Sequence, residues 1–499
     1  MTSRKGKVGV FMQGKIYAND LFPIGKIDHR LNSSLSEHMG RGIYEGIYEP
    51  NSPFADEDGF RQDVIQAVKE LKVPMVRYPG GNFVSSYRWE DGIGPKDKRP
   101  RRTDLAWRSI ETNQFGIDEF MKWLNKVDSS AMMAVNLGTR GIADACHLLE
   151  YCNLDTDTYW ANLRRQNGHA QPYRIKTWCL GNEMDAPWQI GHKSAQEYGE
   201  LVNETSKAMH QLDPDIETVV CGSSNEHTPT FGKWELEVLN ACYENVDYIS
   251  MHQYYDHPDK GTMHHVAKAQ RMDQFITSVI SLCDAVKATK KSKKTLNISF
   301  DEWNVWYHSN KHDETVTPWQ QAPHLLEDVY NFEDALLVGS TLITLLRHAD
   351  RVKIACFAQL VNVIAPILTS EEGLIKQTIF YPIRDVSTYG YGETLQTNIQ
   401  SPVYQVTEFG DVPYLDAIVI KNDNHHYTVF AINRSLKEKM TLNVGLNDEL
   451  AHETHHFSYS CTDPEFKNTK DHSVLEEDIQ DESSIQLKPF SWNVITFEI

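Results

Sequence analysis

The chain has 499 residues, a length that predicts one large domain with a smaller one attached. Hydrophobic content of 40% and charged content of 24% are typical of a globular protein and exclude the intrinsically disordered class. The formal net charge of −20 argues against a nucleic-acid partner and an anionic membrane, because binding to phosphates requires clustered Lys and Arg.

The start of the chain predicts a protein without a targeting segment. Residues 1–7 carry positive charge, but no apolar stretch follows them that could serve as a signal peptide. No run approaches the roughly 18 apolar residues that are needed to span a bilayer. The eight cysteines are scattered, and several lie within apolar runs, which favours free buried thiols over a disulfide framework. We therefore expect a cytoplasmic protein.

Apolar, β-branched runs recur along the first three quarters of the chain, with helical patterns between them. The apolar residues of 58–71 follow the 3.6-residue period of a helix, and 195–212 and 272–287 have the same pattern. The strand candidates are 31–35, 73–79, 131–137, 175–180, 218–222, 246–252, 296–301 and 352–359. Eight strand–helix repeats predict an α/β fold, a (β/α)₈ TIM barrel over residues 18–383, rather than a sandwich.

After about Pro382 the pattern changes to short alternating segments separated by turn clusters. The candidate strands are 414–420, 427–433, 440–444, 484–487 and 492–499. They predict an antiparallel β-sandwich domain over residues 384–499. The first strand-like piece, 6–12, could belong to either domain.

In a barrel of this kind the active site forms at the carboxyl ends of the strands. Hydrogen-bonding side chains follow nearly every predicted strand. They are Glu37, Arg77, Asn82, Asn136, Asn182, Glu183, His252, Tyr254, Glu302, Gln359 and Asn362. Together they suit a polyhydroxylated ligand, and the acidic chain is compatible with a neutral carbohydrate.

Glu183 and Glu302 differ from an ordinary surface glutamate, because each ends an apolar, strand-forming run. A buried carboxylate without a partner is costly at such a position. Two carboxylates that a fold brings together are the catalytic groups of glycoside hydrolysis. We therefore predict that Glu183 and Glu302 are a catalytic pair.

Other candidates have both a structural and a functional interpretation. Arg77 could form a structural salt bridge, and it could also keep a buried carboxylate ionised. His252 could be a satisfied core histidine, but its place at a strand end favours a site role. Trp188, Trp303 and Trp306 could pack in the core or stack on sugar faces, and the sequence favours neither.

The remaining motifs point to no further chemistry. Gly80-Gly81 could form a turn or could let the backbone approach a ligand closely. The sequence contains no phosphate-binding Gly-x-x-x-x-Gly-Lys loop and no Cys-x-x-Cys pair. Histidine doublets such as His264-His265 rarely chelate one ion, because adjacent residues on a strand point to opposite faces. We expect no metal and no cofactor.

Long motifs spread through the chain resemble those of the intracellular α-L-arabinofuranosidases of glycoside hydrolase family 51. The motifs are Glu37-His-Met-Gly-Arg-Gly-Ile-Tyr, Arg77-Tyr-Pro-Gly-Gly-Asn-Phe, Arg101-Arg-Thr-Asp-Leu-Ala-Trp, Gly181-Asn-Glu-Met-Asp-Ala-Pro-Trp, Asp301-Glu-Trp-Asn-Val-Trp and Gln359-Leu-Val-Asn-Val-Ile-Ala-Pro. The resemblance runs in order and without large gaps from Gly6 to Ser491-Trp-Asn-Val-Ile.

The resemblance implies a retaining, exo-acting enzyme that releases arabinofuranose from arabinan- or arabinoxylan-derived oligosaccharides. It implies that Glu183 is the general acid/base, that Glu302 is the nucleophile, that Asn182 bonds the sugar 2-hydroxyl and that Tyr254 orients the nucleophile. In a retaining enzyme the carboxyl groups lie about 5–5.5 Å apart. At that distance the charge of Glu302 should raise the pKa of Glu183.

The resemblance also implies that Glu37, Asn82 and Gln359 hold the arabinofuranose hydroxyls, with Arg77 and His252 supporting them. It further implies a homo-hexamer and a C-terminal sandwich that residues 1–17 join. The sequence departs from the usual pattern at 33–36, Ser86 and Ala186, which affects the substrate rim and not the chemistry.

Two alternatives stay open at this point. One is a related barrel glycosidase, an endo-glucanase or a β-xylosidase. The other is a non-catalytic carbohydrate-binding protein, although such a protein would typically have lost one of the two carboxylates.

Overall fold

The computed structural model describes residues 12–257, 260–448, 452–474, 476–479 and 484–499. Eight parallel strands close into a barrel in chain order, and the eighth strand pairs with the first. They are β1 Ser33–Leu35, β2 Met75–Tyr78, β3 Ser130–Val135, β4 Thr177–Leu180, β5 Glu217–Val220, β6 Tyr248–Tyr255, β7 Asn297–Val305 and β8 Val352–Ala358. Each overlaps one of the predicted runs, so the predicted (β/α)₈ barrel is confirmed.

One main helix follows each strand of the barrel. These are α1 Gln62–Leu71, α2 Ile117–Val127, α3 Ile142–Asn153, α4 Ala195–Leu212, α5 Lys233–Cys242, α6 Ala269–Lys290, α7 Phe332–Arg347 and α8 Phe380–Tyr389. Shorter helices lie at Tyr159–Gln166, Thr262–His265 and Asn310–Asp313. Helix α1 begins later than the predicted residue 58, because Asp56 accepts hydrogen bonds from the backbone N–H groups of Asp58 and Phe60 and closes a turn there.

The C-terminal part of the chain forms two packed sheets. The larger sheet has seven strands in the order Pro23–Lys26, Glu393–Leu395, Leu415–Lys421, His426–Asn433, Ser491–Glu498, His452–Ser460 and Glu477–Asp478. The smaller sheet has four, in the order Asn398–Gln400, Met12–Ala18, Met440–Leu446 and Ile485–Leu487. The predicted sandwich is present, but Met12–Ala18 and Met440–Leu446 pair in parallel and not antiparallel.

The N-terminal strand therefore pairs with strands of the C-terminal part. Residues 6–11 of the predicted strand 6–12 lie outside the described residues. The division into residues 18–383 and 384–499 stays a prediction. Three small hairpins were not predicted: Arg102–Asp104 with Ser109–Glu111, Ile367–Ser370 with Gly373–Lys376, and Val403–Val406 with Gly410–Pro413.

Helix α7 joins the two parts of the molecule. Its residues from Phe332 to Leu346 are all buried, and one continuous core contains barrel residues together with Ile432 and Trp492 of the larger sheet. At Gly339 an added Cβ atom would lie 2.7 Å from Cε3 of Trp492, so only a glycine allows this contact. The sandwich thus covers a helix of the barrel.

No helix in the described ranges has the length and apolar character that crossing a membrane requires. All eight cysteines are free, as predicted, and six of them are buried.

Candidate active site

A cavity of about 820 Å³ opens where the barrel strands end. Five of the predicted site residues line it: Glu37, Asn82, Glu183, Tyr254 and Glu302. Trp188 and Trp306 line it as well. The fold therefore brings the two predicted catalytic carboxylates to one solvent-connected space of the size that small-molecule sites have.

The two carboxylates lie close together. One oxygen of Glu183, one oxygen of Glu302 and one ring nitrogen of His252 all lie within 4.8 Å of one another. This spacing is shorter than the 6.5–9.5 Å that leaves room for a water between the groups in inverting glycosidases. It is compatible with direct attack by one carboxylate while the other transfers a proton.

Glu302 is held by a permanent cation and a phenol. Arg77 Nη1 donates to Oε1 of Glu302 at 2.7 Å, and the hydroxyl of Tyr254 donates to Oε2 at 2.9 Å. Burial alone would lower the pKa of Arg77, but the carboxylates of Asp301 and Glu302 raise it well above its ordinary value. The guanidinium therefore places a positive charge in direct contact with Glu302.

Consecutive residues Asp301 and Glu302 both turn toward the site, which regular strand geometry would not allow. The register between β6 and β7 shifts between Ser250 and His252, and a second shift follows Phe300 on the side of β8. Such bulges re-aim side chains and are common next to active sites. As a result His252 contacts Asp301 on one side and Glu183 and Glu302 on the other.

Glu183 lies in the turn after β4, where Gly181 has φ +99° and Glu183 itself has φ +44°. Trp188 Nε1 donates to Oε2 of Glu183 at 2.7 Å, and His252 Nδ1 lies 2.9 Å from Oε1. Burial raises the pKa of Glu183, and the charge of Glu302 adds to the increase, while His252 and Trp188 oppose it. The predicted direction is confirmed, with burial as the larger cause.

His252 is a fully paired buried histidine that is also part of the site. Its Nε2 lies 2.8 Å from Oδ1 of Asp301, on the side away from Glu183. Burial alone would lower the pKa of His252, but the carboxylates of Glu302, Asp301 and Glu183 raise it well above its usual range. The site thus contains two cations, Arg77 and His252, among its carboxyl groups.

A third carboxyl group, that of Glu37, lines the same cavity. Its Oε1 accepts hydrogen bonds from the backbone N–H of Phe83 at 2.8 Å and from Nε1 of Trp107 at 3.0 Å. Burial, with a contribution from the charge of Glu302, raises the pKa of Glu37 to about 8. At neutral pH this side chain is therefore mostly protonated and can donate a hydrogen bond. The backbone N–H of Glu37 donates to Oε1 of Gln359 at 2.9 Å.

The two glycines after β2 make room for carboxylates. A Cβ atom at Gly80, which has φ +141°, would lie 2.2 Å from Cγ of Glu37. A Cβ atom at Gly81 would lie 2.7 Å from Oε1 of Glu302. Gly80 and Gly81 therefore allow a close approach to the backbone. The groups that approach it are the side chains of Glu37 and Glu302.

The predicted amide residues form a chain behind the carboxylates. Arg77 Nη2 donates to Oδ1 of Asn182 at 2.8 Å, and Asn182 Nδ2 donates to Oδ1 of Asn82 at 3.2 Å and to Oε1 of Gln189 at 3.3 Å. Asn182 and Gln359 are almost fully buried, whereas Asn82 faces the cavity.

The structure separates the three tryptophans. Trp303 is buried and packs edge-to-face on Phe357 with ring centroids 4.9 Å apart, so it is a core residue. Trp306 lines the cavity and meets Tyr254 edge-to-face at 5.5 Å. Trp188 lines the cavity with 52% of its surface exposed.

Two residues that contribute to the site were not predicted as site residues. Trp107 comes from the loop between two short strands, and no local pattern connects it with Glu37, which lies far from it in sequence. Asp301 has a signal that could have been used: a second carboxylate inside an apolar run directly before Glu302.

Glu183, His252 and Glu302 could in principle hold a metal ion, since each offers one ligand atom. Each of them already has polar neighbours in Trp188, Asp301, Arg77 and Tyr254. These three side chains therefore already have hydrogen-bond or ion-pair partners within the protein.

Comparison with known proteins identifies the family. Residues 67–274 match the model of the α-L-arabinofuranosidase 1 domain, and residues 301–492 match that of the α-L-arabinofuranosidase C-terminal domain. An intracellular exo-α-(1→5)-L-arabinofuranosidase of Bacillus subtilis is 53% identical over 95% of this chain and 97% of its own. An exo-α-(1→6)-L-arabinofuranosidase of Bifidobacterium longum is 48% identical over 87% of this chain and 85% of its own.

A solved structure agrees with this result. The structure of a family 51 α-L-arabinofuranosidase from Bifidobacterium longum superimposes with a TM-score of 0.92 at 42% identity and covers 97% of this chain and 99% of its own. The chain therefore belongs to the α-L-arabinofuranosidases of glycoside hydrolase family 51.

Proposed function

We propose that this protein is a retaining, exo-acting α-L-arabinofuranosidase that releases terminal arabinofuranose from arabinan- or arabinoxylan-derived oligosaccharides. The proposal rests on two carboxyl groups in different surroundings: one oxygen of Glu183 and one oxygen of Glu302 lie within 4.8 Å of each other. Glu302 is held for attack by the guanidinium of Arg77 and the hydroxyl of Tyr254, whereas burial raises the pKa of Glu183, which favours a proton donor.

In the first step a carboxylate oxygen of Glu302 attacks the anomeric carbon while Glu183 gives its proton to the leaving oxygen. The bond from the anomeric carbon to the leaving oxygen breaks as the bond to Glu302 forms, and a covalent arabinosyl–enzyme results. Tyr254, which donates to Glu302 in the free enzyme, orients the attacking group.

In the second step Glu183, now ionised, takes a proton from a water molecule that attacks the same carbon. The ester bond to Glu302 breaks, arabinose leaves with its configuration retained, and both carboxyls return to their starting protonation states. The two displacements each invert the anomeric centre, so the net result is retention.

The other predicted residues bind the sugar in this proposal. Glu37, Asn82 and Gln359 hold the arabinofuranose hydroxyls, with Glu37 as a donor because its pKa is raised to about 8. Asn182, oriented by Arg77, bonds the 2-hydroxyl. The names of the two relatives differ in linkage, (1→5) and (1→6), so family membership alone does not determine which bond this enzyme prefers.

We further propose that the enzyme acts inside the cell, as the name of the Bacillus subtilis relative indicates for that protein, and that it assembles as a homo-hexamer, as family resemblance implies. Light scattering coupled to size-exclusion chromatography measures the assembly directly. A monomer at micromolar concentration would contradict the second part.

The test compares the wild type with Glu302→Gln and Glu183→Ala on aryl α-L-arabinofuranosides. We expect Glu302→Gln to lose at least about 10³-fold in kcat, because no other group can form the covalent intermediate. Glu183→Ala should lose least on substrates with very good leaving groups, which need no proton. NMR of the first product should show the retained anomer, and an inverted anomer would overturn the mechanism.

Aryl β-xylosides and β-glucan complete the panel. Faster turnover of either by the wild type would favour a xylosidase or an endo-glucanase. Binding of arabino-oligosaccharides without any turnover would favour a non-catalytic binding protein. The exposed Glu200→Gln is a suitable control, since it makes the same chemical change outside the site.

A further inference from the structure

The cavity extends beyond the catalytic pair along a polar wall. Its residues come from the loop after β5, from the end of β6 and from the start of α6. They are Asn225, Glu226, Gln253 and Arg271. Gln253 Nε2 donates to Glu226 at 3.3 Å, and Tyr255 donates to Oε1 of Gln253 at 3.0 Å, so these groups are already oriented. The volume of about 820 Å³ is more than one pentose needs.

Arg271 in this wall is held by a residue from the C-terminal part of the chain. Its Nε donates to Oε1 of Glu408 at 2.6 Å, and its Nη2 lies 2.5 Å from the same oxygen. His264 Nε2 lies 2.9 Å from the other oxygen of Glu408. Two nitrogens of the guanidinium thus contact Glu408, while Arg271 also lines the cavity.

Glu408 sits at the tip of the hairpin formed by Val403–Val406 and Gly410–Pro413, and this hairpin is fastened to the barrel. The hydroxyl of Tyr404 donates to the backbone carbonyl of Met263 at 3.2 Å, and Phe409 stacks on His264 with ring centroids 5.8 Å apart. Val406 and Val412 form a small buried cluster with Ala267. The position of Glu408 is therefore determined by packing and not by its ion pairs alone.

We propose that Arg271 binds hydroxyls of the sugar on the leaving side of the scissile bond, and that Glu408 is the positioning residue that holds Arg271 for this task. The proposal rests on the proposed function of the site. An arginine held on one edge loses little rotamer freedom when it binds, so its hydrogen bonds to a neutral sugar are not offset by ordering of the side chain. The C-terminal hairpin is then part of the substrate-binding machinery.

The test measures kcat and KM of Glu408→Gln on an arabino-oligosaccharide and on an aryl α-L-arabinofuranoside, which has no sugar on the leaving side. We expect KM for the oligosaccharide to rise about tenfold, the effect of one lost charge-assisted hydrogen bond, with a much smaller change for the aryl substrate. In an Arg271→Met background, Glu408→Gln should add nothing, because Glu408 acts through Arg271.

Glu476→Gln is the matched control. Glu476 also pairs with a barrel arginine across the two parts of the chain, Arg384 Nη2 at 2.7 Å, but it does not line the cavity. Both variants should lose similar thermal stability, and Glu476→Gln should keep the wild-type ratio of kcat/KM for the two substrates. If Glu408→Gln keeps that ratio, or if its effect adds to that of Arg271→Met, the proposal is wrong. If the wild type hydrolyses neither substrate, the proposed function itself fails.

Discussion

At the scale of single residues, two glutamates of identical chemistry acquire different properties from their neighbours. Glu302 shares its two oxygens between Arg77 and Tyr254, while Glu183 contacts a tryptophan N–H and His252. His252 is the group that connects both, because it lies within 3.5 Å of Glu302 and 2.9 Å of Glu183. Its charge therefore lowers the pKa of Glu183.

The variant His252→Asn tests this effect. The cation lowers the pKa of Glu183, so its removal raises that pKa further. In the proposed mechanism Glu183 must carry a proton in the first step, so kcat/KM should fall as pH rises through its pKa. We therefore expect the alkaline limb of the pH profile of kcat/KM to move to higher pH, along with a loss of about tenfold or more at the optimum.

His348→Asn is the control, since His348 also pairs with an aspartate, Asp273 at 2.8 Å, but does not line the cavity. Its pH profile should match that of the wild type. An alkaline limb of His252→Asn that stays in place or moves to lower pH would contradict the assignment of Glu183 as acid.

At the scale of elements, the loops after the strands determine the geometry of the site. The loop after β2 passes so close to Glu37 and Glu302 that Gly80 and Gly81 have no room for a side chain. The backbone is therefore as much a part of the site as the carboxylates are.

Gly80→Ala should reduce kcat/KM by about 10²-fold, because the new methyl displaces Glu37 and a shift of about 1 Å in a site group has effects of that size. Gly168→Ala makes the same change at another residue with positive φ, +95°, where an added Cβ meets nothing within 4 Å. We expect this control to keep near wild-type kinetics at a similar cost in backbone strain. Equal activities of the two variants would show that the contact with Glu37 is unimportant.

At the scale of the whole molecule, barrel and sandwich share a core around α7. Gly339→Ala places a methyl 2.7 Å from an aromatic carbon of Trp492, and overpacking of this kind costs about 1–3 kcal/mol. We expect a lower unfolding temperature with unchanged KM, measured by circular dichroism and initial rates. The double variant with Trp492→Phe should be less destabilised than the sum of the single variants, because the smaller ring relieves the contact. Strict additivity would contradict the shared core.

Much of this organisation could be predicted from the sequence, for a physical reason. Strands of a parallel barrel are buried on both faces, so they appear as continuous apolar runs, and a carboxylate at the end of such a run stands out. Trp107 and Arg271 could not be found in this way, because they come from a loop and a helix start whose position depends on tertiary packing. The parallel pairing of Met12–Ala18 with Met440–Leu446 could not be predicted from the sequence either, because the two strands lie far apart in the chain.

The buried position of α7 also has a consequence for biosynthesis. This helix leaves the ribosome well before Trp492 has been translated, and the strand Ser491–Glu498 lies inside the larger sheet, between His426–Asn433 and His452–Ser460. Until that strand arrives, the nascent chain exposes an apolar helix that needs either a chaperone or a transient non-native cover. A premature stop codon that removes only this strand would spare every residue of the active site, and yet it would leave them on a polypeptide that cannot close its core.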